Sequence, residues 1–118
     1  MRKLGVALDI FAVLVFVGIG RSVHTHGLSF GGMASTAWPF MTGLAIGWCV
    51  SALMHRPLVS IAGGIVVLLA TVTIGMTLRV LAAQGTAFAF VLVALGFLGF
   101  VMCGWRCIFM SFKRLRTQ

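Results

Sequence analysis

A chain of 118 residues that is 61% apolar and only 8% charged has too little polar side chain to face water as a folded monomer. These proportions exclude an ordinary soluble domain and point to an integral membrane protein. The net charge of +8 raises nucleic-acid binding, but the basic residues stand at the ends of apolar runs. Membrane topology accounts for them, and no nucleic-acid partner is expected.

A helix of about 20 apolar residues crosses the roughly 30 Å hydrocarbon layer. Four segments qualify in chain order: 4–20, 36–54, 58–81 and 87–109. Their apolar runs are continuous, whereas barrel strands would alternate. The predicted fold is an all-α membrane protein, a single four-transmembrane-helix bundle over residues 1–118. The first segment imitates a signal peptide through Arg2-Lys3 and Gly18-Ile19-Gly20, yet Asp9 interrupts it and three spans follow. It is read as a retained helix closed by Gly20-Arg21. A glycine-rich loop with His24 and His26 follows, and Ser35 or Thr36 is read as the N-cap of the second helix, with Pro39 in its first turn. His55-Arg56-Pro57 separates the second and third helices, and residues 82–86 the third and fourth. With the N-terminus inside, the inner side receives Arg2, Lys3, Arg56, Arg106, Lys113, Arg114 and Arg116, and the outer side only Arg21 and Arg79. Both termini are therefore expected to be cytoplasmic, in the plasma membrane.

Pro57 divides the chain into two helical hairpins with a weak internal correspondence. "GIGR" at 18–21 answers "GMTLR" at 75–79, and "GW" at 47–48 answers "GW" at 104–105. Either a duplicated two-helix unit or coincidence accounts for this, since glycine, tryptophan and terminal arginine are common in membrane helices. Small residues recur at packing intervals: Gly43, Gly47 and Ser51, then Ser60 and Gly64, then Gly75, then Gly99 and Cys103. In lipid, close backbone approach at such stripes supplies contact energy, within one bundle or between the halves of a homodimer.

Asp9 is the only acid in the chain. It lies about 9 Å past Lys3, and Arg106 about 10 Å before Lys113, so their depths match. An Asp9–Arg106 ion pair between the first and fourth helices is predicted, either as a structural clamp or as a proton-coupled transport element. Arg21 and Arg79 have no carboxylate on their side. They are read in two ways: as cations favoured at helix C-termini that reach outward, or as part of an outer anion or headgroup site built from Arg21, His24, Thr36, Trp38 and Arg79. Trp38 also suits an interfacial anchor. His24 and His26 lack companion Cys, Asp or Glu, and Cys49, Cys103 and Cys107 read as packing residues, so no metal or cofactor is expected.

"FVGIGRSVHTHG", "STAWPFMTGLAIGW", "GMTLR" and the closing "GWR" resemble, in order and spacing, the family called domain of unknown function 3054, over residues from about Asp9 to Arg106. The resemblance implies a prokaryotic membrane protein with four helices. It points to Asp9, Gly20, Arg21, His24, Thr36, Trp38, Pro39, Gly47, Trp48, Gly75, Arg79 and Arg106 as motif positions, with His26 less typical. It carries no activity, and no catalytic residue comes with it. The expected function is a small permease or channel-like protein for a small anion or metabolite, acting as a homodimer in the lipid bilayer. The alternative is a non-catalytic accessory subunit of a larger membrane complex. No enzyme is expected, because the chain lacks a carboxylate pair and a nucleophile–base constellation.

Overall fold

The computed structural model describes residues 2–23, 30–82 and 88–117. Four helices account for most of them: α1 (Arg2–Val23), α2 (Phe30–Leu53), α3 (Ile61–Leu81) and α4 (Phe88–Thr117). All four are long and apolar enough to cross a membrane. Each packs on the next, and α4 packs back on α1, so the helices close into a ring with α1 opposite α3 and α2 opposite α4. Val13, Phe16, Val17, Phe40, Leu44, Val67, Leu98 and Met102 fill its axis.

The boundaries differ from the sequence expectation in instructive ways. Thr36 does not begin α2, which already starts at Phe30 and carries Thr36 in its second turn and Pro39 well inside. Gly31, Gly32 and Ser35 are poor helix formers in water, each by up to about 1 kcal/mol. In an apolar surround the need to satisfy every backbone group internally outweighs that preference. The α4 helix runs on to Thr117 rather than ending at 109, carrying its basic residues as further turns. Lysine and arginine are good helix formers and suit a helix C-terminus.

The turn between α2 and α3 is closely determined. The Arg56 N–H donates to the Ser51 carbonyl (2.9 Å) and the His55 N–H to the Ala52 carbonyl (3.0 Å), a Schellman ending. It places His55 at φ 58°, where glycine is the usual occupant. Ser60 caps α3, its Oγ accepting from the Gly63 N–H at 3.0 Å and donating to the Pro57 carbonyl at 2.7 Å. That carbonyl sits where a Cβ on Gly63 would be, so no larger residue fits there without moving the turn.

The closest helix pair is α2 with α3. A Cβ on Gly43 would stand 2.9 Å from the Thr71 backbone, and one on Gly47 2.9 Å from Val67 Cα. One turn farther, Ser51 Oγ would lie 3.1 Å from a Cβ on Gly63. Each step of four along α2 is thus matched by a step of four back along α3. In the other direction the Phe40 ring occupies the notch left by Gly75, 2.6 Å from its hypothetical Cβ. Gly99 on α4 performs a looser version of the same service for Leu68.

Candidate functional site: a buried ion-pair node

Asp9 lies two turns into α1 and Arg106 three turns from the end of α4, both with no accessible surface. Their fork-to-fork geometry is bidentate: Arg106 Nη1 donates to Asp9 Oδ1 at 2.9 Å and Nη2 to Oδ2 at 2.8 Å. Burying two charges costs several kcal/mol per ion, so the surround must return that in hydrogen bonds. Trp48 of α2 donates its indole N–H to Oδ2 and Trp105 of α4 donates its own to Oδ1, each at 3.0 Å. Four donors therefore occupy the four lone-pair positions of one carboxylate.

Arg106 is as fully engaged. Its Nε donates to the Leu58 carbonyl and Nη1 to the Met102 carbonyl, both at 2.9 Å. Its Cζ lies 4.2 Å from the centroid of the Trp105 ring. Arg106 is among the largest fully buried side chains of the protein, and α3 admits it only because residue 64 is glycine: a Cβ there would collide with Arg106 Cδ. Gly5 does the same for Trp105, whose Cη2 would stand 2.8 Å from an added Cβ. All four helices and the α2–α3 turn thus meet at one carboxylate–guanidinium pair. Among the described residues no buried side-chain nitrogen or oxygen lacks a partner.

The remaining sequence candidates lie toward the opposite end. The structure brings Arg21 and Thr36 together, Nη1 donating to Oγ1 at 2.8 Å across the α1/α2 seam. Arg79 lies at the α3/α4 seam, 4.8 Å from the Phe90 ring centroid. Phe90 belongs to an aromatic cluster with Phe16 (5.5 Å) and Phe40 (6.2 Å), which separates these arginines from the ion pair. Trp38 turns outward and is 43% exposed. His24 and His26 lie outside the described residues. Because α2 begins at Phe30, the backbone N–H groups expected to face an anion at Thr36 are interior to the helix. Cys49 and Cys107 are exposed thiols and Cys103 is half-buried. Among the described residues no three His, Cys, Asp or Glu side chains gather.

The bonds of Trp48 and Trp105 to Asp9, the Leu58 carbonyl and the use of Gly64 as the arginine slot escape the sequence reading, which names Trp48 only as a motif position and Gly64 only as a packing residue. The recurrent "GW" carried the signal for the two indoles, since both tryptophans stand near the end of the bundle that holds the sole acid. No signal marks the carbonyl, because any residue supplies one.

No curated protein and no solved structure matches the chain. The family model described as "Protein of unknown function (DUF3054)" matches residues 6–109, a span that takes in both partners of the ion pair and both indoles that hold it. With most of its length matched in this way, the chain belongs to that family of proteins of unknown function.

Proposed function

We propose that the protein is a non-catalytic accessory subunit of a larger assembly in the plasma membrane, with both termini cytoplasmic, whose bundle is a rigid apolar body presenting its outer surface to partners. The saturation of the Asp9–Arg106 pair carries this reading. A carboxylate that exchanges a proton or a cargo keeps a lone pair or a route for it, whereas Asp9 has four donors in place. Phe16, Phe40 and Phe90 fill the ring beyond it. Crosslinking in native membranes followed by native electrophoresis tests the reading. The tagged chain is expected in one high-mass species with a partner at fixed ratio; migration only as a lone bundle or homo-oligomer refutes it.

A second reading, a small-anion permease, is favoured by one observation. Arg21 and Arg79 stand in the last turns of α1 and α3, so two cations gather toward the same end of the bundle. Since the ring is filled, a path would run between two copies in a homodimer.

A further inference from the structure

Seven residues make two turns of an α-helix to within about 20°, so residues seven apart share a face and stand about 10 Å apart along the axis. Arg2 is seven before Asp9 on α1, and Lys113 is seven after Arg106 on α4. Asp9 and Arg106 meet directly across the α1/α4 seam. The register of the two helices therefore brings Arg2 and Lys113 out at one depth, on the bundle-facing stripes, over the end of the axis beyond the ion pair. Lys3 lies about 120° around α1 from Asp9, on another face.

A third cation closes the group. Arg106 Nε holds the Leu58 carbonyl, and Arg56 stands two residues earlier in that α2–α3 turn, within about 7 Å along the chain. The turn is fixed there, since the Arg56 N–H donates to the Ser51 carbonyl and Ser51 Oγ donates to the Arg56 carbonyl at 2.8 Å. Arg2, Arg56 and Lys113 are all exposed. No acidic side chain offsets them, because the only acid of the chain is buried on Arg106.

A bundle that crosses a membrane meets lipid on its flanks and water beyond its end, so what settles over the axis comes from the aqueous side. Three cations spread over an exposed surface, on elements about 8–10 Å apart, suit several carboxylates carried on one chain better than a single small ion. We infer that this end of the bundle docks an acidic, Asp/Glu-rich segment of a partner protein through Arg2, Arg56 and Lys113. The inference rests on the accessory-subunit reading and names the chemistry of the partner.

The full chain in phosphatidylcholine nanodiscs, titrated with a fluorescent octaglutamate peptide at about 0.15 M salt, tests it by anisotropy. Binding is expected, weakened about two- to fivefold by each of Arg2→Gln, Arg56→Gln and Lys113→Gln, and lost at about 1 M salt. Lys3→Gln removes the same charge from another face of α1 and is expected to bind as wild type does, and all four variants to keep the wild-type unfolding midpoint. Phosphatidylglycerol, at about a fifth of the nanodisc lipid, is expected to leave the peptide bound. No binding, or equal weakening by Lys3→Gln and Arg2→Gln, would overturn the inference. So would displacement by phosphatidylglycerol, which would make this end a headgroup site. Loss of peptide binding beside an intact high-mass species refutes the acidic partner alone; peptide binding by a chain that migrates alone upholds the site and refutes the assembly.

Discussion

Asp9 has no reserve. Each of its oxygens accepts twice, and removing its charge leaves Arg106 buried with no counter-charge. Asp9→Asn and Arg106→Gln are each expected to cost about 3–5 kcal/mol, read as a fall in the denaturation midpoint in detergent. Replacing both by apolar residues of similar volume, Asp9→Leu with Arg106→Met, is expected to cost far less than the sum, since neither charge is then stranded. Additive losses would mean that the two residues act separately. At this scale the sequence is legible where chemistry is scarce: a lone acid in an apolar helix needs a cation, and Arg106 stands at its depth in the bundle. The indoles are harder to see, because tryptophan near a helix end has a simpler use as an interfacial anchor. Trp38, 43% exposed, faces outward in the manner of an anchor, whereas Trp48 and Trp105 turn inward onto Asp9.

The α2–α3 pair separates glycines that are required from glycines that are incidental. Gly47→Leu drives a side chain into the Val67 backbone and is expected to part the two helices and lower stability by several kcal/mol. Gly96→Ala and Gly104→Ala meet nothing within 4 Å and are expected to be neutral or to stabilise by up to about 1 kcal/mol through helix propensity. Equal effects at both kinds of position, in the same detergent assay, would refute the packing account. The spacing of Gly43, Gly47 and Ser51 shows a close helix contact in the sequence, but not with which helix. Helix existence is legible from hydropathy, while helix ends are not. Serine and threonine before an apolar run read as caps, whereas residues 30–35 already belong to α2. Ser60, beside Pro57 and next to water-facing residues, behaves as a cap.

The whole molecule is a ring of four helices with a filled axis, a charged node toward one end and two arginines toward the other. Purified protein in liposomes is expected to pass no small anion, and Arg79→Gln to match wild type. Anion-dependent flux abolished by Arg79→Gln would instead establish the permease reading, and with it a path between copies.

The node joins residues 97 positions apart, the first helix to the last. During synthesis α1 enters the membrane carrying a carboxylate with no guanidinium beside it, at a cost that grows with its depth in the bilayer. Trp48 arrives with α2, but the guanidinium and the second indole come only with α4. Until then the bundle is an open arc with a stranded charge. Arrival of α4 and neutralisation of that charge are therefore one event, and a three-helix intermediate differs chemically from the closed bundle.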